Sequence, residues 1–360
     1  MTLPIAIDYR PALLSRAGIG RVTRELARAL AERTDLEVHL FGHSLAAARV
    51  PTAIPEGARL HRWPLPGRSL GTLARLGLGG DRLAGNVGIF HWTDFVQPPA
   101  GRAAKVLTVH DLAFVRQPQW HGAAAATLSA RTRIAIAAAD VVVVPSRTTA
   151  ADVREFAPAA DVRVVPFGCD HTVAATNAAH PLDGRPYALC LGTIEPRKNH
   201  RTLLQAWRAL PAPRPLLVVI GGIGWECGEI VAELRRAERD GIVQWLQDCD
   251  DAAMWRWLGH AMLLVYPSLW EGFGLPPLEA MHCGVPVIAH DTPVLRETTA
   301  GAARLVDATD AENLAAAVRE VTTDADLRAG LIALGRDRAA AFRWQHCAEH
   351  HAAIYHEVAR

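Results

Sequence analysis

Closely spaced cysteines are missing from this sequence of 360 residues. Six cysteines are scattered along it with no C-x-x-C pair. A disulfide framework or a structural zinc site would need closer spacings, so we expect a reduced cytosolic protein. The six positions are Cys169, Cys190, Cys227, Cys249, Cys283 and Cys347.

Long apolar runs are also missing. The longest apolar stretch, from Ile134 to Pro145, is interrupted by Asp140, and a membrane-spanning helix needs about 20 apolar residues. The first residues enter a short strand pattern without a charged segment followed by a long apolar run, so we expect no signal peptide. The sequence therefore predicts a cytoplasmic protein without a transmembrane helix.

The chain has almost no excess of charge of either sign. Its formal net charge is +1, which gives no support to a general nucleic-acid-binding role. Half of the residues are hydrophobic, which argues against disorder. The length suggests two domains of about 150 residues each.

Strand-like and helix-like patterns alternate along the whole sequence. Apolar strands without polar alternation, separated by helices, predict parallel sheets covered on both faces. Two such series imply two doubly wound α/β domains, with a break near residues 171–185, where no periodic pattern persists. The predicted strands are Ile5–Ile7, 37–41, 87–91, 105–109, 141–144 and 162–165, and then 187–191, 216–220, 244–246, 263–266 and 285–289.

The segment from Ser268 to Ile288 carries the most specific pattern. Glu271 and Glu279 stand eight positions apart, with a Gly-Phe-Gly turn and a helix start near Pro276 between them. Glycines let backbone N–H groups approach a ligand closely, and a helix start favours an anion. A carboxylate about one turn into that helix can accept hydrogen bonds from paired hydroxyls such as those of a ribose. The pattern therefore suits a phosphorylated, hydroxyl-rich ligand.

This segment resembles the E-x7-E signature of family 4 of the retaining glycosyltransferases with the GT-B fold. Five further blocks resemble that family and follow its order, so the resemblance spans nearly the whole chain. The blocks are Gly18-Ile-Gly-Arg-Val-Thr-Arg-Glu-Leu26, Thr108-Val-His-Asp-Leu112, Val144-Pro-Ser146, Val164-Val-Pro-Phe-Gly-Cys-Asp170 and Gly192-Thr-Ile-Glu-Pro-Arg-Lys-Asn199.

The resemblance implies an α/β GT-B fold: two Rossmann-like domains that face each other across a cleft. Residues 1–175 would form the acceptor-side domain, and residues 183–340 the domain that binds a nucleotide-sugar donor. Residues 341–360 would form a C-terminal helix that crosses back to the first domain.

The resemblance also implies roles for residues of the second domain. Arg197 and Lys198 would hold the donor diphosphate, where fixed cations stabilise the leaving group. Glu271 would contact the donor sugar, and Glu279 the ribose. Donor contacts would also come from the turn between these acids, at Gly272, Phe273, Gly274 and Leu275.

In the first domain, the resemblance makes His110 a contact of the donor sugar, so the implied catalytic set is His110, Glu271, Lys198 and Arg197. Gly18 and Gly20 would form a glycine loop near the donor phosphates. They are not a dinucleotide fingerprint, because Thr23 replaces the third glycine and no acid ends the second strand. Acceptor-side candidates are Asp94 and Asp111.

Two further patterns have simpler explanations than a ligand site, and a third departs from the family's pattern. Asp248-Cys-Asp-Asp251 resembles a D-x-D metal motif, but it precedes an amphipathic run, where a capping acid is expected. His346, His350 and His351 have metal-ligand spacing, but a polar helix face is the simpler interpretation. The loop Gly221–Trp225 has Gly222 and Ile223 where many mannosyltransferases of the family carry lysines. We therefore predict no metal and no cofactor beyond the donor itself.

The sequence predicts a retaining hexosyltransferase that moves a sugar to a hydroxyl of a glycan or lipid-linked saccharide in cell-surface polysaccharide synthesis. GDP-mannose is the favoured donor. The alternatives are UDP-glucose, UDP-N-acetylglucosamine or dTDP-rhamnose as donor, or a non-catalytic nucleotide-sugar-binding protein. A segment containing Arg62, Arg68, Arg75 and Arg82 among leucines could contact the inner face of the cytoplasmic membrane as an amphipathic element, or form an acceptor-side loop.

Overall fold

A computed structural model describes residues 2–16, 18–45, 53–172 and 179–359, without the side chain of Arg68. Part of the predicted interdomain break, residues 173–178, lies outside the described residues. The chain divides into two compact units. The first unit comprises residues 1–112, 126–168 and 343–360, and the second comprises residues 113–125 and 169–342.

The first unit is built on a parallel sheet of seven strands in the order β3-β2-β1-β4-β5-β6-β7. Its central strands are almost entirely buried, as expected for a sheet with helices on both faces. The strands are β1 Leu3–Asp8, β2 Leu36–His43, β3 Ala58–Trp63, β4 Ile89–Trp92, β5 Ala104–Thr108, β6 Val141–Val144 and β7 Val162–Val164.

Helices surround this sheet. The first long helix buries Val22, Leu26 and Leu30, which share one face at helical spacing. The C-terminal helix packs against it, which confirms the predicted return of the chain to the first domain. The helices of the first unit are α1 Arg10–Leu14, α2 Ile19–Ala31, α3 Gly67–Arg75, α4 Gly80–Leu83, α6 Ala124–Ala138, α7 Arg147–Phe156 and, at the end of the chain, α15 Trp344–Val358. Helix α5 Ala113–Arg116 belongs to the second unit.

The second unit contains a parallel sheet of six strands in the order β10-β9-β8-β11-β12-β13. Its core is a cluster of apolar side chains that includes the fully buried Trp207. The strands are β8 Tyr187–Leu191, β9 Leu216–Ile220, β10 Val243–Leu246, β11 Leu263–Tyr266, β12 Val287–His290 and β13 Arg304–Val306.

Seven helices of the described residues cover the second sheet. They are α8 His200–Ala209, α9 Gly228–Arg239, α10 Asp251–Gly259, α11 Leu275–His282, α12 Pro293–Thr299, α13 Ala311–Thr323 and α14 Ala325–Ala339. Short 3-10 turns span Pro118–Trp120 and Pro196–Lys198. No helix in the described part of the chain is both long and apolar enough to cross a membrane.

The structure differs from the sequence predictions in several places. Strands β3 and β13 were not predicted: half of the six side chains of β3 are polar and none is fully buried, and β13 has only three residues. His351 is fully buried, so its assignment to a polar helix face is wrong, although His346 and His350 are exposed.

Both sheets reverse their strand order beside their first strand, between β1 and β4 and between β8 and β11. In open α/β sheets, ligands bind at the carboxyl ends of the strands at this point. In the second sheet, the turn Pro196–Lys198 follows β8 and helix α11 follows β11. The two strands that flank the reversal therefore lead into the predicted donor residues.

Candidate functional site

The loops after β8 and β11 bring three predicted site residues of the second unit into contact. The ammonium of Lys198 forms an ion pair with Oε1 of Glu271, and Nη1 of Arg197 lies 3.3 Å from Oε2 of the same carboxylate. The three side chains are only 10–14% exposed. The two cations therefore converge on one acid at the reversal point of the sheet.

The charge state of Glu271 follows from these neighbours. Burial raises the pKa of this carboxyl, but the charges of Lys198 and Arg197, with hydrogen bonds from Lys198 and Ser268, outweigh burial and lower the pKa to about 2. The hydroxyl of Ser268 donates to Oε1 at 2.5 Å. Glu271 is therefore an anion at neutral pH, fixed from two sides.

Arg197 also ties the two loops together. Its Nη2 lies 2.7 Å from Oε1 of Glu195, and its Nη1 donates to the carbonyl of Trp270 at 2.8 Å. Its own carbonyl accepts from the backbone N–H of Leu269 at 2.9 Å. The guanidinium is held as a planar fork with fixed geometry, which suits recognition of phosphate oxygens.

Tyr266 and Ser268 belong to this site, but the sequence analysis did not select them. Nζ of Lys198 donates to the hydroxyl of Tyr266 at 3.0 Å. Burial, followed by the charge of Glu271, raises the pKa of Tyr266 well above its usual value, so the phenol stays neutral. The available signal was their position: both lie at the carboxyl end of β11, a few residues before Glu271.

The glycine turn sets the start of α11. Gly274 has φ +86° at the N-cap, and a Cβ there would lie 2.5 Å from Cδ2 of Leu295. Only glycine fits both the left-handed backbone and the close packing. Helix α11 then begins at Leu275, with proline in its first turn, as the sequence predicted. Gly272 and Phe273 precede Gly274 in the same turn, and the Phe273 side chain is buried.

Glu279 lies in α11 and has a different partner from Glu271. Its side chain is fully buried, and its Oε1 accepts a hydrogen bond from Nε2 of His171 at 3.0 Å. The side chain of His171 packs edge-on against Trp255. A buried carboxylate needs such donors, so the segment after β7 holds this acid in place.

In the first unit, His110 is connected to two other strand ends. Its Nε2 donates to the carbonyl of Thr93 at 2.9 Å, and the hydroxyl of Thr93 donates to the carbonyl of Asp8 at 2.6 Å. Burial lowers the pKa of His110, although Asp94 and Asp111 oppose this effect. His110 is therefore biased toward the neutral imidazole.

Asp94 lies in the same region and pairs with Arg10. Asp8, which the sequence analysis did not select, is fully buried next to them, and its Oδ1 accepts from the backbone N–H of Arg10 at 3.2 Å. Burial, which outweighs the opposing charge of Arg10, raises the pKa of Asp8 to about 7. Asp111 is half-buried and acts on His110 through its charge.

The two predicted glycines of the first unit have different structural reasons. Gly18 has φ +53° and stands at the N-cap of α2. At Gly20, a Cβ would lie 2.1 Å from the carbonyl oxygen of Ser15. Gly20 therefore allows the preceding loop to pack on the first turn of α2.

The predicted capping acid is confirmed. Oδ1 of Asp250 accepts from the backbone N–H of Ala253 at 2.7 Å and caps α10. Asn199 stands at the N-cap of α8, but its side chain bonds the carbonyl of Ala308 and the hydroxyl of Thr202 instead of the helix backbone. Within the described residues, no group of three His, Cys, Asp or Glu side chains could hold a metal ion.

Solved structures similar to this chain share its complete fold. A sucrose-phosphate synthase from Thermosynechococcus elongatus superposes with a TM-score of 0.81 at 23% identity, over 99% of both chains. HepE of Anabaena in complex with UDP and glucose gives a TM-score of 0.78 at 17% identity, over 99% of this chain and 100% of that chain. At these identities the likeness shows the GT-B architecture alone.

A curated relative is closer in sequence over a shorter region. The O-antigen chain mannosyltransferase B of Escherichia coli is 37% identical over 164 residues, which cover 45% of this chain and 43% of that relative. This chain spans less than half the length of this relative and of the other curated mannosyltransferases compared with it.

Two family descriptions match consecutive parts of the chain. Residues 16–173 match Glycosyltransferase Family 4, and residues 175–338 match Glycosyl transferases group 1. Together they account for both units and for the E-x7-E segment, and the chain therefore belongs to the family 4 glycosyltransferases of the GT-B fold.

Proposed function

We propose that this protein is a retaining α-glycosyltransferase that transfers a hexose from a nucleotide sugar to a hydroxyl of a glycan or lipid-linked saccharide. One observation carries the proposal: Arg197, Lys198 and Glu271 converge at the point where the second sheet reverses its strand order. Family membership supports the same class of reaction.

In this proposal, Arg197 and Lys198 bind the donor diphosphate. The ammonium has three N–H donors and the guanidinium has five, so both can bind phosphate oxygens while they remain paired with Glu271. As the bond from sugar to diphosphate breaks, negative charge grows on the leaving group, and fixed cations in a site with little water stabilise it. These side chains would do the work without a metal ion.

The acceptor hydroxyl would attack on the face from which the diphosphate leaves, and a diphosphate oxygen would take up its proton. His110 and Glu271 would hold the donor sugar, and Glu279 would bind the ribose. The backbone of residues 272–275 would face phosphate and sugar oxygens, because the start of α11 presents free N–H groups there. Gly18 and Gly20 would let the first-unit loop approach the donor.

GDP-mannose is the proposed donor, and cell-surface polysaccharide synthesis the proposed pathway. The support is the 37% identity to a curated O-antigen mannosyltransferase. Titration of the purified protein with GDP, UDP and ADP tests the choice of base. The proposal predicts that GDP binds most tightly, and tighter binding of UDP would remove GDP-mannose as the donor.

The acceptor side is proposed to include Asp94 and Asp111. Asp94 and Arg10 form an ion pair that is 18–19% exposed, and such a pair offers both acceptors and donors to sugar hydroxyls. Incubation with GDP-mannose and a panel of saccharide and lipid-linked acceptors tests catalysis. Donor binding without turnover of any acceptor would favour a non-catalytic binding protein.

Peripheral membrane contact is proposed for residues 62–82. Leu76 and Leu78 are 73% and 42% exposed, and Arg75 and Arg82 beside them are also exposed. Apolar side chains among arginines favour an anionic lipid surface. The test is co-flotation with phosphatidylglycerol vesicles: Leu76→Asp should reduce it, and Leu334→Asp, at an exposed position in α14 of the second unit, should not. Equal flotation of both variants would contradict the contact.

A further inference from the structure

The proposed function leaves the loop Gly221–Trp225 of the sequence analysis without a role. It follows β9, and it packs directly on the loop that precedes Arg197 and Lys198. The backbone N–H of Ile194 donates to the carbonyl of Gly222 at 2.9 Å, and the N–H of Gly224 donates to the carbonyl of Ile194 at 3.0 Å. Backbone hydrogen bonds therefore join the two loops.

Glycine is required at both ends of this contact. A Cβ on Gly221 would lie 1.8 Å from the carbonyl oxygen of Gly192, and a Cβ on Gly224 would lie 2.7 Å from Cγ2 of Thr193. Trp245 secures the loop from the other side, because its indole N–H donates to the carbonyl of Gly221 at 2.9 Å. We call the loop from Gly192 to Lys198 the diphosphate loop. Close packing thus couples the position of Trp225 to this loop.

Trp225 in turn holds the segment that follows β5. Its indole N–H donates to the carbonyl of Trp120 at 2.9 Å, and its ring stacks on His121 with centroids 5.4 Å apart. His121 packs edge-on against Phe114. Because of such contacts, residues 113–125 belong to the second unit, although both neighbouring stretches of chain belong to the first.

This segment begins three residues after His110, the proposed sugar contact. We propose that Trp225 is a positioning residue, which fastens residues 113–125 to the diphosphate loop, so that donor binding at Arg197 and Lys198 orders the stretch of chain that follows His110. The inference rests on the proposed function. It assigns a role to a tryptophan that would not touch the donor.

The physical basis is that the connection consists of short, directional contacts. A stacked aromatic pair contributes about 0.5–1.5 kcal/mol beyond the area it buries, and the indole N–H adds a hydrogen bond to a backbone carbonyl. Loss of these contacts removes the hydrogen bond to Trp120 and the stacking on His121 that connect this segment to the loop Gly221–Trp225. Misplacement of a reacting group by about 1 Å can lower the rate by about 10²-fold.

Amide hydrogen exchange of the full-length protein, with and without saturating GDP, tests the connection. In the wild type, GDP should slow exchange in residues 113–125. In Trp225→Ala, basal exchange of this segment should be faster and GDP should no longer slow it, while the Kd for GDP stays within about threefold of the wild-type value. Trp225→Phe keeps an aromatic ring and should give an intermediate result.

Kinetics provide the second readout. Trp225→Ala should lower kcat for transfer about tenfold with little change in the KM for donor, because the side chain positions a group without binding the donor. Leu334→Ala is the control, since Leu334 is an exposed apolar side chain of α14 in the second unit, outside the proposed site. It should change neither exchange in residues 113–125 nor kcat.

The outcomes separate the inference from the function it rests on. If exchange in residues 113–125 is the same in Trp225→Ala and the wild type, or if GDP protects the segment equally in both, the inference is wrong. A loss of GDP binding in Trp225→Ala would make Trp225 a ligand contact and would also overturn it. If the wild type does not bind GDP, the proposed donor fails, and the basal exchange rates still decide whether Trp225 fastens the segment.

Discussion

Lys198 and Glu271 form a buried ion pair although 73 positions separate them in the sequence. The parallel order of β8 and β11 explains the contact, because both residues follow the carboxyl ends of neighbouring strands. Lysine is also rare in this chain. Of the 38 lysine and arginine residues in the chain, only Lys105 and Lys198 are lysines.

Replacement of Lys198 by arginine should therefore impair the site even though the charge is kept. The stem of Lys198 packs beside Gly192, where a Cβ would lie 3.4 Å from its Cε, and the planar guanidinium fork is larger than an ammonium. We expect transfer by Lys198→Arg to fall about 10- to 100-fold. Lys105→Arg is the control, and equal activity of the two variants would contradict a specific need for lysine.

Glu271→Gln should change acid stability in a defined pH window. The folded state lowers the pKa of Glu271 from its usual 4.5 to about 2, so its ionised form contributes stability above pH 4.5 that is lost as the pH falls toward 2. The wild type should be more stable than Glu271→Gln at neutral pH, by about 3–5 kcal/mol for a broken buried pair, and the difference should shrink below pH 4.5. Urea unfolding measures it, with the exposed Glu349→Gln as control. A difference that does not change with pH would count against the assigned charge state.

The contribution of Asp8 to stability should have the opposite pH dependence, which Asp8→Asn tests. Burial raises the pKa of Asp8 from its usual 3.8 to about 7, so between these values the folded protein keeps a proton that the unfolded chain has lost. The contribution of Asp8 to the free energy of unfolding, measured as the difference between the wild type and Asp8→Asn, should therefore decrease from pH 4 to pH 7 by up to a few kcal/mol. Asp8→Asn should abolish this contribution, and Asp326→Asn, at an exposed position of α14, should retain it. The same slope in both variants would show that Asp8 does not titrate in this range.

Gly274→Ala should destabilise the start of α11 through both strain and a clash. Gly274 and Gly301 have φ values of +86° and +87°, but a Cβ meets Leu295 only at Gly274, and no heavy atom lies within 4 Å at Gly301. Gly301→Ala should therefore lose about 1–2 kcal/mol from the left-handed backbone alone. Gly274→Ala should lose more, typically by a further 1–3 kcal/mol for overpacking. Equal losses in thermal unfolding would show that Leu295 moves aside.

The sequence was sufficient to predict elements with strong local patterns. The strands 141–144, 187–191, 216–220 and 263–266 have the predicted bounds, because continuous apolar runs have few alternatives to a buried parallel strand. The start of α11 was also predictable, since glycine and proline fix the backbone there. Strand β3 was missed because polar residues interrupt its apolar ones and leave no such run.

The partners of the site residues could not be predicted in the same way. The contacts of Glu271 with Lys198, and of Glu279 with His171, join positions that are distant in sequence and depend on which strands are neighbours. The charge state of Asp8 depends on burial by surrounding elements, which no local pattern encodes. Family resemblance supplied candidate roles, whereas the contacts that fix each side chain came from the fold.

The central claim is that Lys198 holds a diphosphate, and comparison of GDP with GMP binding tests it most directly. Titration calorimetry of the wild type, Lys198→Met and the control Lys105→Met isolates the contribution of the second phosphate. The account predicts that the wild type and Lys105→Met prefer GDP over GMP and that Lys198→Met loses at least about tenfold of this preference. An unchanged ratio of the two affinities in Lys198→Met would contradict the account.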